Sequence, residues 1–246
     1  MLVVNPTSFR HLASTDSTNS ECARLIKAGQ LKPIWVLADQ QSHGRGRLNR
    51  KWSSSVGNLY ASGLYRFEQN PEQLAQLGFA AALAVIDVLS KHMPAEALRL
   101  KWPNDVLADG AKIAGILLEC LPQADGAHFI VIGIGINVAH APQLIDRETA
   151  CLAQYRKSMD RQLSPPDIMP DLIQSFEKWV KLWKSDGFAP LRNSWVASAY
   201  GLGNRIVTSN RIEGRFEDMS ETGALILRKN SGQVIKISAG EVYFSQ

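Results

Sequence analysis

With 246 residues, 45% of them apolar and 20% charged, the chain is long enough to bury a core as one large domain, or a large one with a small appendage, and its composition argues against disorder. A net charge of +4 without any block of like charges suits small polyanions as well as it suits nucleic acid, so a nucleic-acid surface does not follow. Cys22, Cys120 and Cys151 lie far apart without paired spacing, which excludes a disulfide framework and a zinc site. Met1 to Arg10 has no basic segment followed by an apolar one, and a reduced, soluble, cytoplasmic protein is expected.

Phe9 to Leu12 is predicted as a short strand. The run Ser14-Thr15-Asp16-Ser17-Thr18-Asn19 leads into a helix over Ser20 to Ala28, capped by Ser17 or Thr18 and ended by Gly29. So long a run of hydrogen-bonding side chains exceeds what a cap needs, and it also suits a polar, neutral ligand group. Ile34 to Ala38 reads as a buried strand and Asn58 to Tyr65 as the next. Between them, Gln41 to Trp52 carries Arg45, Arg47, Arg50 and Lys51 around Gly44 and Gly46. Guanidinium forks grip phosphate or carboxylate oxygens, glycines let the backbone bend, and an indole stacks on a purine, so the segment suits a nucleotide and a lid over it. A solvated basic loop and weak nucleic-acid binding remain open from these residues alone.

Pro71 opens a helix with Leu74, Leu77, Ala81, Val85 and Val88 at helical spacing, and its apolar part, Leu74 to Leu89, reads as too short to span a bilayer. Leu98 to Trp102 is a strand, ended by Pro103 ahead of Asn104 and Asp105. Asp109-Gly110 signals a hairpin into a strand over Lys112 to Leu121, in which strict alternation sets Lys112, Ala114, Ile116 and Leu118 on one face. His128 to Val138 is a central strand with Gly133, Gly135 and Asn137 on one side. Two glycines there imply a group lying against the backbone, or close helix packing. Leu144 to Tyr155 is expected to be helical, Pro165-Pro166 to mark a break, and Pro170 to Ser185 and Ala189 to Tyr200 to be helices. From Arg205 short strands recur between turns, which suggests a small barrel, with a boundary near Gly201 to Asn204.

Five blocks carry a resemblance: Ser17-Thr18-Asn19; Gln41 with Gly44-Arg45-Gly46-Arg47, Arg50 and Trp52; Lys101-Trp102-Pro103-Asn104-Asp105; Lys112-Ile113-Ala114-Gly115-Ile116-Leu117; and Gly133-Ile134-Gly135-Ile136-Asn137. In order and spacing they resemble biotin protein ligases across most of the chain. The resemblance implies an α/β (α+β) fold, a mixed central sheet with helices packed on one side, as a catalytic domain over residues 1–200, and an SH3-like barrel over 201–246. It implies a ligase that makes biotinyl-5′-AMP from biotin and ATP, with Mg2+ carried by ATP and no dedicated metal ligands, then passes biotin to a lysine of a biotin carboxyl carrier protein.

By the same resemblance Ser17, Thr18, Asn19 and Gln41 meet the ring end of biotin, and Gly115, Gly133 and Gly135 clear space for it. Gly44, Arg45, Gly46 and Arg47 fold over the biotinyl group and adenylate, and Arg50, Trp52, Asn104 and Asn137 face the nucleotide. Lys112 bridges the biotin carboxylate and the α-phosphate. Catalysis is assigned to Lys112, Arg45, Arg47 and Asp105, the last orienting or deprotonating the acceptor lysine. His43 departs from the family pattern, where a small residue is usual. Too few residues precede Ser14 for a DNA-binding domain, so no DNA binding is expected, nor any membrane, and the protein is expected to be a monomer or homodimer. The rivals are a lipoate or octanoate ligase of the same fold, which lacks the Gly-Arg-Gly-Arg loop, and a non-catalytic RNA or single-strand binding module.

Overall fold

The computed structural model describes residues 9–144, 147–156 and 163–244. Its central layer is a mixed sheet of β1 (Phe9–Leu12), β2 (Ile34–Ala38), β3 (Leu59–Phe67), β4 (Leu98–Lys101), β5 (Asp105–Ala108), β6 (Ala111–Pro122) and β7 (His128–Ile136), in the order β1-β2-β3-β7-β6-β5-β4. β1 runs parallel to β2, and the other neighbours are antiparallel. β5 is a strand that the proline at 103 concealed. The chain turns at Trp102–Asn104 and comes back, pairing Asp105 with Lys101.

Alternation gives this sheet two unlike faces. Leu59, Ala61, Tyr65 and Phe67 of β3 and Ile130, Ile132, Ile134 and Ile136 of β7 enter the main core. Over them pack α3 (Leu77–Leu89), α4 (Pro165–Asp186) and α5 (Ala189–Ala197), which contribute Phe176, Trp183 and Trp195. α2 (Pro71–Ala75) leads into α3, its start capped by Asn70 Oδ1 accepting from Gln73 N at 2.9 Å. The run Pro71–Leu89 is long and apolar enough by composition to cross a membrane. The expectation that it is too short therefore fails; it is a core helix because the sheet and α4 and α5 cover it.

Helices are not confined to one side, as the resemblance implied. α1 (Thr18–Lys27) lies on the opposite face, where Cys22 joins Val36, Leu64, Phe129 and Val131 in a smaller cluster. Burial there pushes the Cys22 thiol up to about 12, which leaves it unreactive. Pro165 and Pro166 do not break the chain; they begin α4, in the first turn, where a missing N–H costs nothing. Leu144 to Tyr155 is no α-helix: residues 145–146 lie outside the described residues, Thr149 bridges Lys112, and only Leu152–Tyr155 forms a 3-10 turn.

β8 (Arg205–Thr208), β9 (Glu213–Met219), β10 (Leu225–Arg228), β11 (Val234–Ile237) and β12 (Val242–Phe244) form a second, antiparallel sheet in the order β11-β10-β9-β8-β12. Trp102 Nε1 donates to Gly223 O at 3.1 Å, Arg192 Nε to Met219 O at 2.6 Å, and Lys101 Nζ lies 5.8 Å from the Phe244 ring centre. The segment Lys101 to Asp105 is thus divided in its work. Its first two residues hold the second sheet, and its last two face the cleft described next.

Candidate active site

The uncovered part of the α1 face is a cleft of about 310 Å³ floored by β6 and β7. Gly115 pairs with Gly135 and Leu117 with Gly133 along this floor. A Cβ on Gly133 would fall on Asn19 Oδ1, and one on Gly135 would lie 2.5 Å from the Trp52 ring. Both readings left open for these glycines find a case: Gly133 is met by Asn19 of helix α1, and Gly135 by the Trp52 ring of the loop.

Lys112 reaches this floor through an irregularity. Val106 pairs with Ala114 but Leu107 pairs with Lys112, so Ile113 is an extra residue in β6. Such a bulge reverses the alternation beyond it. Lys112 therefore does not share a face with Ala114 and Ile116, which are buried in the core. Its side chain lies over Gly115, within 3.3 Å of where a Cβ there would stand. Lys112 Nζ meets Asp105 Oδ1 at 2.5 Å, with Arg147 Nη1 3.9 Å from the other carboxylate oxygen, and sits 5.2 Å from the Trp52 ring centre.

At the other end the groups are neutral and polar. Ser17, Thr18 and Asn19 open α1 and are buried. The Ser17 side chain makes no cap bond; Thr18 N and Oγ1 donate to Gln41 Oε1 at 2.9 and 3.2 Å. Ser62 Oγ lies 2.7 Å from Thr18 Oγ1 and 2.6 Å from Asn19 Oδ1, and its one proton serves a single acceptor at a time. Gln41 Nε2 reaches on to Ser54 Oγ at 3.2 Å.

The cationic loop stands over these groups as a small hairpin. Arg45 bridges Lys51, Gly46 N donates to Arg50 O at 2.7 Å, and Trp52 N donates to Gly44 O at 2.9 Å. Its tip turns through Leu48 and Asn49, at φ 54° and 57°, with Leu48 exposed. Each arginine has its own partner: Arg45 pairs with Glu119, Arg47 Nη1 reaches Asn104 Oδ1 at 3.4 Å and Gly240 O at 3.3 Å, and Arg50 pairs with Glu241. Arg47 is half-buried, and desolvation lowers its pKa while Asp105 opposes that shift. Trp52 Nε1 is buried with no hydrogen-bond partner, a donor held inside the cleft.

All the residues named from the sequence for this site line the cleft except Gly44. Gly44 is buried behind the loop, where a Cβ would stand 2.7 Å from Ser54 Oγ and 2.8 Å from Trp52 O, so its smallness closes the hairpin and does not make room for a ligand. Asn137 Nδ2 donates to Ala150 O at 2.9 Å and Lys112 O at 3.3 Å, which leaves its carbonyl oxygen as the group it can offer. Asn104 Nδ2 is bound to Ile116 O at 2.8 Å. His43 is exposed, with Nδ1 2.9 Å from Ser42 Oγ.

The sequence reading gave no site role to Ser62, Glu119, Glu241 or Asn58. Asn58 Oδ1 accepts from the backbone of Val138, Ala139 and His140 at 2.9, 2.9 and 3.0 Å, and so fixes the turn after Asn137. A buried-strand pattern interrupted by Ser62 was the one available signal. Glu119 and Glu241 become visible only when β6 and the second sheet fold beside the loop, and Asn58 only when it meets the turn after β7.

Residues 12–137 match the Biotin/lipoate A/B protein ligase family, and residues 204–245 match the Biotin protein ligase C terminal domain. The chain belongs to the biotin/lipoate A/B protein ligase family. Within it, a biotin--[acetyl-CoA-carboxylase] ligase of Paracoccus denitrificans is 38% identical over 95% of this chain and 99% of its own length. The bifunctional ligase/repressor BirA of Bacillus subtilis is 29% identical over 94% of this chain and 71% of its own. The structure of biotin protein ligase from Aquifex aeolicus in complex with biotin and ATP superposes with a TM-score of 0.76 at 27% identity, covering 97% of each chain. The family's matched stretches in this chain include the cleft-floor strands β6 and β7 and the Glu241 that reaches the cleft from the second sheet.

Proposed function

We infer that the chain is a biotin protein ligase. It joins biotin to AMP with release of pyrophosphate, and then passes the biotinyl group to a lysine of the biotin carboxyl carrier protein of acetyl-CoA carboxylase, releasing AMP. The observation that carries this reading is the division of one cleft into an end with neutral hydrogen-bonding side chains, Thr18, Asn19, Gln41 and Ser62, beside the charge-balanced Arg45–Glu119 pair, and a cationic end at Lys112 and Arg47. A bicyclic ureido ring has donors and acceptors for the first, and a carboxylate meeting a phosphate needs the second. A linear lipoyl or octanoyl chain has nothing to offer the polar end.

A carboxylate attacking the α-phosphate brings two anions together. Lys112, set over the glycine floor, offsets their repulsion and stabilises charge growing on the phosphoryl oxygens, with Arg47 beside Asn104 on the same side and Arg45 standing over the ring end. Arg50, Trp52, Asn104 and Asn137 hold the nucleotide side. Magnesium would enter with ATP as part of the substrate and would supply further positive charge at the phosphates. The mixed anhydride hydrolyses readily, so the hairpin from Gly44 to Trp52 serves as a lid that excludes water. When Lys112 turns to the phosphate, Asp105 is freed to orient the acceptor amine and take its proton. Residues 1–200 carry this chemistry, and 201–246 supply Gly240 and Glu241 as the lid's anchor.

Biotin-dependent exchange of labelled pyrophosphate into ATP tests the reading. The wild-type chain should catalyse it, and Lys112→Ala should lower it by about 10²–10³-fold, the scale for removing one preorganised stabilising group, while the circular dichroism stays native. Near-normal exchange in that variant removes Lys112 from the mechanism.

A further inference from the structure

Glu119 follows Gly115 and Leu117 on the same side of β6, opposite Val131 of β7, and joins two cleft-lining groups given separate tasks above. Its Oε2 accepts from Asn19 Nδ2 at 3.0 Å. Its Oε1 accepts from Arg45 Nε at 3.4 Å and Nη2 at 3.3 Å, while Arg45 Nη1 donates to Ser20 Oγ at 2.8 Å. We propose that Glu119 is a positioning residue for biotin, acting through the direction of the Asn19 amide; this rests on the ligase reading.

The argument is one of hydrogen-bond sign. An ionised carboxylate only accepts, so the amide beside it must present its NH2, and Oδ1 must then point at Ser62 and lie over Gly133. Turned the other way, the amide would set a carbonyl oxygen against a carboxylate. The remaining neighbours cannot make this choice, because the Ser62 hydroxyl both donates and accepts. One negative charge therefore decides which atoms of Asn19 a ureido ring would find. The same carboxylate tethers Arg45 at the ring end of the cleft, so the base of the lid and the ring contacts share an anchor. Register does not need it, since β6 is paired to β7 by backbone from Ala114 to Pro122.

Glu119→Gln keeps size and one acceptor but loses the charge, so that the Asn19 amide has two acceptable directions. Biotin affinity, read by titration calorimetry without ATP, should fall about tenfold, as for loss of one charge-assisted bond. The KM for ATP and the Tm should barely move. In an Asn19→Ala background the same change should alter biotin affinity by less than about twofold, because paired residues acting through one contact are not additive. Wild-type biotin affinity in Glu119→Gln overturns the proposal. So does a joint fall of kcat and Tm with a rise in both KM terms, which marks a merely structural residue, and so do effects of the two substitutions that multiply. Absence of biotin-dependent exchange in the wild-type chain would sink the ligase reading instead, whereas normal exchange with unchanged affinity in Glu119→Gln sinks this inference alone.

Discussion

On one face of β7, Ile130, Ile132, Ile134 and Ile136 press into a dry layer under α3, α4 and α5. On the other, positions 133 and 135 are glycine, and what lies against them is an amide and an indole. The same strand thus serves two purposes by parity alone. The dry face supplies the burial that holds the fold, and the cleft face gives up packing so that polar groups can be aimed at one another and at a ligand. Hydrogen bonds on the cleft face run between side chains from α1, β2's end, β3 and β6, so its geometry depends on the dry face staying rigid beneath it. The bulge at Ile113 moves one residue, Lys112, from the first regime to the second.

The largest effect should come from the dry face. Phe176 is fully buried, 5.6 Å from the Trp35 ring centre and 5.4 Å from that of Tyr65. Phe176→Ala should cost about 3–5 kcal/mol of stability in urea titrations, with exchange per folded molecule unchanged. A loss of exchange ahead of unfolding would mean that the two faces are not separable.

A sharper test uses two glycines. A Cβ on Gly63 would stand 2.7 Å from the Trp35 ring, which is packed in the dry layer; a Cβ on Gly135 would stand 2.5 Å from Trp52, which belongs to the loop. The first neighbour cannot give way and the second can. Gly63→Ala should destabilise by about 1–3 kcal/mol, the usual cost of overpacking. Gly135→Ala should change stability by less than about 1 kcal/mol, as a substitution whose strain is relieved by a loop, and should raise the KM for ATP. Equal losses of Tm in the two variants would break the distinction between the faces.

The lid comes next. Arg47 reaches Asn104 and Gly240 across the cleft, so Arg47→Ala should loosen closure by about 1.5–3 kcal/mol, the range for a bond to a charged group. Quench experiments should then find biotinyl-5′-AMP free in solution and a raised biotin requirement. Retention of the intermediate at the wild-type level would count against a closing loop.

The strands and most helices were legible because they are periodic: Ile34–Ala38 and Phe9–Leu12 have the bounds expected of them. The cleft was legible because glycine and arginine in fixed order restrict what a loop can do. Three things were not legible, each for a physical reason. The bulge leaves no mark in a run such as Lys112-Ile113-Ala114, because only the partner strand reveals the extra residue. β5 was hidden behind Pro103, which stops one ladder without preventing another from starting. Glu119 reads as an ordinary polar position on a strand until Asn19 and Arg45, distant in sequence, arrive beside it.

That last residue has a counterpart on the dry side, which gives the smallest prediction. Glu177 of α4 sits where Trp35 Nε1 donates to Tyr65 Oη at 2.8 Å and Tyr65 Oη donates to Glu177 Oε1 at 3.3 Å. Burial raises its pKa above the ordinary carboxylate value, against the opposing pull of the Tyr65 bond and Lys184. A carboxyl raised on folding binds its proton more tightly in the native state, so its ionisation costs stability as pH climbs through the unfolded and then the folded value, and the cost persists above both. Glu177→Gln keeps an acceptor for Tyr65 and removes the charge. Its stability should equal or exceed wild type by less than about 1 kcal/mol at neutral pH, within the range for a single partly exposed site, and this advantage should vanish as the pH is lowered below the carboxylate range. A loss of stability in Glu177→Gln at neutral pH would mean that the charge on Glu177 supports the dry face instead of burdening it.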